Sequence, residues 1–215
     1  MKNRQGAGWD GGGAEAAVRV TSEGHRRSRR ASASAVATLV NLGLYQVGWF
    51  VAIVCAAGGS PGWAAAVPLG LAALHAALAK RTANELRFLA VAGLVGIAVD
   101  SLVSALSAVA PRGSGLLPGL PPLWLTALWV QLATLVRFAL RWLAGRYLVA
   151  AFLGAVGGPV AFLVGERMGA ATFPNGPVFA IAILALAWAI ATPLLFGVSR
   201  ALGGGEGSGA YRFEH

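Results

Sequence analysis

The apolar run over residues 86–110 contains one acidic residue, Asp100, and this combination constrains the chain more than any other feature. A helix of about 20 apolar residues is long enough to cross a bilayer. A carboxyl group facing lipid would cost about 2.5–3.5 kcal/mol even on the most permissive insertion scales. Helical spacing gathers the small and polar residues of this run on one side: Gly93, Gly96, Asp100, Ser104 and Ser107. We expect this side to face other helices.

The composition of the chain is that of an integral membrane protein. Hydrophobic residues make up 57% and charged residues 12% of its 215 residues, whereas a soluble domain carries about 25% charged residues. The net charge of +9 comes from basic residues that lie between apolar runs. This distribution is typical of membrane topology signals and argues against nucleic-acid binding.

Six apolar runs predict an all-α bundle of six transmembrane helices over residues 36–57, 62–79, 86–110, 122–143, 146–168 and 178–199. The glycine-rich and basic segment 1–32 predicts a disordered cytoplasmic tail. The transmembrane domain then covers residues 33–200, and residues 201–215 form a flexible glycine-rich tail. With the N-terminus inside, fifteen of the seventeen Lys and Arg residues are cytoplasmic, and Arg112 and Arg167 are not. We therefore expect both termini in the cytoplasm.

The fifth predicted helix contains a glycine- and proline-rich segment at its middle, with Gly154, Gly157, Gly158 and Pro159. Pro159 removes one backbone donor and clashes with the preceding turn, which predicts a kink. Gly154 and Gly158 are four residues apart, a spacing that allows close helix packing. A broken helix whose backbone lines a site is the alternative.

Two groups of polar residues are candidate sites within the membrane. The first combines Asp100 with Ser104 and with Gln131, which lies at a similar depth and is the expected partner of Asp100. The second lies near the inner leaflet and contains Asn41, Gln46, His75, Glu85 and Arg137. Such a group can bind an anionic headgroup or relay a proton. Alternatively, Arg137 extends to the interface and His75 forms a hydrogen bond between helices.

Catalytic motifs are not found in the sequence. There is no HExxH, GxSxG or Walker motif, and two of the three histidines lie in the tails, so we predict no catalytic residue, metal or cofactor. Whether the chain is an enzyme stays open, with the balance against it. Four arginines before the first helix are expected to contact anionic lipid on the cytoplasmic face: Arg26, Arg27, Arg29 and Arg30.

Several stretches together carry a family resemblance: NLGLYQVGWF (41–50), the region of His75, ELRFLAVAGLVGIAVDSL (85–102), PLWLTALWV (122–130), RWL (141–143) and GGPVAFLVGERMGA (157–170). The chain resembles domain-of-unknown-function family 2878, which consists of small bacterial inner-membrane proteins. The resemblance covers most of residues 36–195. It implies the fold but no activity, and the genes that neighbour family members imply a link to fatty-acid modification.

Three function classes stay open. A lipid-related accessory or lipid-binding protein is favoured by the inner-leaflet group and the arginine cluster. A small-solute or proton-coupled transporter is favoured by Asp100 and the kinked fifth helix. A membrane scaffold or intramembrane enzyme is the third class. Membrane lipids are the expected partners, and homo- or hetero-oligomers in the membrane are compatible with the sequence.

The charge distribution makes a direct prediction about topology. Reporter fusions after Arg81 and after Arg146 should both report the cytoplasm, and a fusion within residues 113–117 should report the periplasm. A cytoplasmic signal from the 113–117 fusion would contradict the six-helix topology.

Overall fold

The computed structural model describes residues 12–79 and 82–203, with side chains given for residue 32 and from residue 34 onward. Its regular structure is six α-helices: α1 (Gly12–Ala57), α2 (Pro61–Leu78), α3 (Thr82–Ala105), α4 (Leu123–Arg137), α5 (Tyr147–Arg167) and α6 (Pro177–Ala201). A single 3₁₀ turn (Arg141–Leu143) and two short strands, β1 (Ala110–Pro111) and β2 (Ala171–Thr172), complete the described elements. The all-helical class is therefore confirmed.

Five of these helices are long and apolar enough to cross a membrane: α1 from Ser34 onward, α2, α3, α5 and α6. The fourth helix has only 15 residues, which corresponds to about 22 Å of rise against about 30 Å of bilayer hydrocarbon. The coarser prediction of an apolar helical membrane protein holds. A sixth crossing through α4 is not established by length and composition.

The chain divides into two compact units, residues 1–40 and 41–215. In the first unit, α1 begins at Gly12 and so includes most of the segment predicted to be a disordered tail. Alanine, glutamate and arginine in this segment are good helix formers, which the prediction underweighted. Residues 1–11 and 204–215, and with them the rest of both predicted tails, lie outside the described residues.

Two helices end earlier than predicted. The third helix ends at Ala105 because Ser107 adopts a left-handed backbone conformation with φ of 52°. The N–H of Ser107 then donates to the carbonyl of Ser104 at 2.9 Å, and the N–H of Ala108 to that of Val103 at 3.1 Å. This is the hydrogen-bond pattern of a Schellman cap, which usually has glycine at the left-handed position. The predicted fourth helix, 122–143, is replaced by α4 and the separate 3₁₀ turn.

Helix α4 is the centre of the second unit. Eleven of its 15 residues are buried, a far larger share than in any other helix. It packs against α2, α3 and α6, while α5 packs mainly on α6. Ala52, Ile53 and Ala56 of α1 share one apolar cluster with Trp124 and Leu128 of α4. A short helix that is buried all round can keep polar side chains inside the bundle.

Four residues from four helices stack across the middle of this unit, and we call them the tryptophan layer. Trp129 of α4 and Trp188 of α6 have stacked rings whose centroids lie 4.6 Å apart. Gly96 of α3 lies against the Trp129 ring, and Gly158 of α5 against the Trp188 ring. A Cβ atom at either glycine would collide with the adjacent indole. The two glycines therefore make room for the two large rings.

The ends of the helices meet in two groups. The end at which α2, α4 and α6 finish and α3 and α5 begin carries five arginines with described side chains, and we call it the basic end: Arg87, Arg137, Arg141, Arg146 and Arg200. At the opposite end, β1 pairs with β2 in antiparallel fashion, with Ala110 opposite Thr172. There the indole N–H of Trp124 donates to the carbonyl of Arg112 at 3.0 Å.

The tryptophan layer predicts different effects at two adjacent glycines of α5. Gly158→Ala should destabilise the fold by about 1–3 kcal/mol because the new methyl group overpacks against Trp188. Gly157→Ala should cause no loss, because no other heavy atom lies within 4 Å of a Cβ atom there and alanine has the higher helix propensity. Thermal melts of both variants in detergent measure the difference, and equal melting temperatures would contradict the layer.

Candidate functional site

Three side chains from three helices form a buried ionic cluster at the basic end. Arg137 Nη1 of α4 donates to Glu85 Oε2 of α3 at 3.0 Å. His75 Nε2 of α2 lies 3.3 Å from the other carboxylate oxygen, Glu85 Oε1. Glu85 and Arg137 are only 5% and 6% exposed. The Arg137 side chain is therefore buried between helices. One of the two interpretations of the sequence instead had this side chain extending to the interface.

Further contacts hold the Arg137 guanidinium in place. Its Nη2 donates to the carbonyl of Leu202, just beyond the end of α6, at 3.4 Å. The guanidinium carbon lies 4.6 Å from the centroid of the Phe88 ring, a cation–π distance. Glu85 is in the first turn of α3 and Arg137 in the last turn of α4, so each charge is favoured by its helix dipole. The cluster thus connects the ends of four helices.

The other two residues predicted for this group lie elsewhere. Asn41 is buried, its Oδ1 has no hydrogen-bond partner, and no described contact joins it to the ionic cluster. Gln46 is exposed and lies beside the aromatic residues Tyr45 and Trp49 of α1. The structure therefore brings together three of the five predicted residues.

Asp100 is 2% exposed and has a partner that the sequence analysis did not choose. Its Oδ2 accepts a hydrogen bond from the indole N–H of Trp129 at 2.9 Å. The expected partner, Gln131, instead donates its amide N–H to the carbonyl of Leu44 in α1 at 3.1 Å. Residues 129 and 131 of one helix point about 200° apart, so only one of them can face α3.

The other small and polar residues that were predicted to share one side of α3 with Asp100 lie in different environments. Gly93 and Gly96 are buried as expected, and Ser104 is half-buried, but no described hydrogen bond joins Ser104 to Asp100. Ser107 lies beyond the end of α3 and is exposed. The Oδ1 of Asp100 is buried without a hydrogen-bond partner. The hydrogen bond from the Trp129 indole is thus the one described interaction of the Asp100 carboxyl group.

The glycine segment of α5 packs against α6. A Cβ atom at Gly154 would meet Thr192 and the backbone of Trp188, and Gly158 faces the Trp188 ring. Pro159 is buried within the continuous helix α5, and the predicted kink there stays a prediction. Gly157 is exposed. The side chains of Arg26, Arg27, Arg29 and Arg30 lie outside those that the structure describes.

A long apolar groove runs between α1 and α5, and the sequence analysis missed it. Its volume is about 600 Å³. Its floor contains Leu132 and Val136 of α4, and its α1 wall contains Tyr45 and Trp49. Its other lining residues include small and branched residues of α5: Gly154, Gly157, Gly158, Val160, Ala161 and Val164. A sequence signal did exist, because Tyr45 and Trp49 are four residues apart and share one helix face.

The groove continues toward the opposite end as a smaller aromatic pocket. This pocket has a volume of only about 50 Å³ and shares Tyr45, Trp49, Leu132 and Trp188 with the groove. Phe162 and Trp124 line its far part. Its lining is almost wholly hydrophobic, which suits an apolar ligand. In the part of the chain that was searched, no three or more His, Cys, Asp or Glu residues are placed to hold a metal ion.

Comparison with known families agrees with the resemblance seen in the sequence. The family described as "Protein of unknown function (DUF2878)" matches residues 38–194, which include α2 to α5, the last 20 residues of α1 and most of α6. The chain belongs to this family. No curated protein matches the chain, and no solved structure matches it. Family membership therefore brings no activity, and the function has to be argued from the groove and the polar sites.

The contact between Asp100 and Trp129 predicts how substitutions at position 100 behave. Asp100→Asn should melt like the parent, because an amide oxygen still accepts the indole N–H. Asp100→Ala should cost about 0.5–2 kcal/mol, because the indole loses its partner. Thermal melts in detergent measure both variants. An Asn variant that melts like the parent but fails to complement a deletion strain would show that the carboxyl group has a role beyond packing.

Proposed function

We propose that this chain is a multi-pass inner-membrane protein that binds lipid, with an acyl chain held in the groove between α1 and α5. The observation that carries the proposal is the groove itself, which is open, almost wholly apolar and about 600 Å³ in volume. No catalytic constellation accompanies it among the described residues. We infer an accessory or binding role for the lipid rather than its chemical conversion.

The surroundings of the groove support an acyl chain as its occupant. Leu153, Val156, Val160 and Val164 of α5 are exposed large apolar residues. Such a surface is stable only against hydrocarbon, so the groove opens into the apolar core of a bilayer. A linear chain can follow the floor formed by Leu132 and Val136 and replace one bilayer contact by many protein contacts. A methylene group that moved from water into the groove would gain about 0.8 kcal/mol. An acyl chain that enters the groove from the bilayer is already in hydrocarbon, so its gain in free energy comes mainly from packing.

The orientation that fits this function has the basic end at the cytoplasmic face. Basic residues near helix ends favour the cytoplasm, and the described side chains at the opposite end include only Arg112 and Arg167 as cations. In this arrangement α4 forms the sixth crossing. Because α4 is shorter than the hydrocarbon thickness, the connections before and after it span the remaining distance. Both termini are then cytoplasmic.

A proton-coupled transporter is the second candidate, and the unpartnered Oδ1 of Asp100 is the observation that favours it. A relay would have to connect Asp100 with the ionic cluster at Glu85. These residues are 15 positions apart on α3, which is about 22 Å. The buried residues of α3 between them are Phe88, Leu89, Ala92, Gly93 and Gly96, none of which can carry a proton. The apolar interval favours the lipid proposal.

Filling the groove tests the proposal. Gly157→Leu places a side chain in the groove from a position with open space around it. The leucine side chain excludes part of the acyl chain from the groove, so lipid binding should weaken by about 3- to 10-fold through lost packing contacts. Gly70→Leu on α2 is the matched control, because Gly70 is also helical, exposed and free of neighbours within 4 Å, but does not line the groove.

The measurement is native mass spectrometry of the detergent-extracted protein, with lipid identified by fragmentation. The parent and the Gly70→Leu variant should retain phospholipid, and the Gly157→Leu variant should lose it. Equal retention by the two variants, with equal melting temperatures, would remove the groove as the binding site.

A further inference from the structure

Three arginines and a tyrosine form an exposed cluster at the basic end, outside the ionic cluster already described. We call Arg141, Arg146, Tyr147 and Arg200 the basic mouth; all four are exposed. Arg200 Nη1 at the end of α6 donates to the hydroxyl oxygen of Tyr147 at 3.3 Å. The same Nη1 lies 3.5 Å from the position that a Cβ atom would occupy at Gly145. The Arg200 guanidinium therefore contacts Tyr147 and lies close to Gly145, the two residues that flank Arg146.

The basic mouth has no described carboxylate to balance its charge. Side chains are described for three acidic residues, Glu85, Asp100 and Glu166. Glu85 is occupied by Arg137 and His75, and Asp100 by Trp129. Glu166 is at the other end of α5, about 30 Å from Tyr147 along the helix. Among the described side chains, no carboxylate is left to pair with these three guanidinium groups, so their positive charge attracts an anion to this region.

The hydrogen-bonding groups of the basic mouth suit a phosphate. Guanidinium groups bind phosphate oxygens with paired N–H donors. The Tyr147 oxygen accepts from Arg200, so its hydroxyl hydrogen is available to donate to an anion. The guanidinium of Arg146 lies 5.9 Å from the centroid of the Trp142 ring, which restricts where it can point.

The basic mouth is next to the groove. Leu140 and Leu143 line the groove and flank Arg141 in the connection that ends at Arg146. Leu153 and Gly154 line it within about two turns of Tyr147, the first residue of α5, and Leu195 lines it about one and a half turns before Arg200. A molecule with a phosphate in the basic mouth can therefore extend its chain along the groove toward Trp188.

We propose that the ligand is an anionic phospholipid, with its phosphate held by Arg146, Arg200 and Tyr147 and one acyl chain in the groove. This inference rests on the proposed function and adds the headgroup class to it. A net negative headgroup matches the cationic mouth, whereas the ammonium of a zwitterionic lipid is repelled there. The site lies in a part of the chain whose side chains are described, and it does not include Arg26, Arg27, Arg29 or Arg30.

The test compares phosphatidylglycerol with phosphatidylcholine carrying identical acyl chains, titrated into the delipidated full chain and measured by native mass spectrometry. Arg146→Gln and Arg200→Gln should each lower the preference for phosphatidylglycerol by about fivefold. Arg146→Lys should retain most of the preference because the charge is kept. Arg87→Gln is the matched control, because Arg87 is an exposed arginine at the same end on α3, which does not line the groove.

The outcomes separate the two proposals. If the Arg146 and Arg200 variants keep the parent's preference while Gly157→Leu loses lipid, the headgroup inference is wrong and the groove proposal stands. If Gly157→Leu also keeps its lipid, both are wrong. If excess inorganic phosphate displaces phosphatidylglycerol, the basic mouth is a site for free phosphate. That result would overturn the inference that the bound phosphate belongs to a lipid. A melting temperature equal to the parent's confirms that each variant is folded.

Discussion

The buried ion pair between Arg137 and Glu85 is the interaction on which the arrangement of the second unit depends. A guanidinium inside an apolar bundle has no water to replace a lost partner, so the carboxylate, the Leu202 carbonyl and the Phe88 ring must all be in place. These partners belong to the ends of α3 and α6 and to the body of α3. Removing one member of a buried pair typically costs about 3–5 kcal/mol. The position of α4 between α3 and α6 is thereby fixed at the basic end.

The groove follows from how the remaining helices close around α4. Glycine at 154 and 158 lets α5 approach α6 closely, and the Trp188 ring then fills the space beside Gly158. Helix α5 is thus directed to α6 rather than to α4. The face of α4 that carries Leu132 and Val136 then forms the floor of the groove between α1 and α5. The same close packing that stabilises the bundle creates the proposed binding site.

Local patterns in the sequence predict which side of a helix is buried but not which residue it meets. The spacing of Gly93, Gly96 and Asp100 identified the inner face of α3, because helical period alone decides it. The partner of Asp100 depends on how α4 is rotated about its own axis. The sequence does not give this rotation, so it could not decide between Trp129 and Gln131. The His75, Glu85 and Arg137 cluster was found by equal depth in the membrane. The groove depends on how α1, α4, α5 and α6 are spaced, and the early end of α3 depends on a serine in a position that usually signals glycine.

An experimental structure of the full chain in lipid nanodiscs containing phosphatidylglycerol tests the central claim most directly. The account predicts tubular density between α1 and α5, passing Tyr45, Trp49 and Gly157 and ending in a headgroup beside Arg146 and Arg200. Density for protein in this position, from α1 packed directly onto α5 or from a second copy of the chain, would contradict the account.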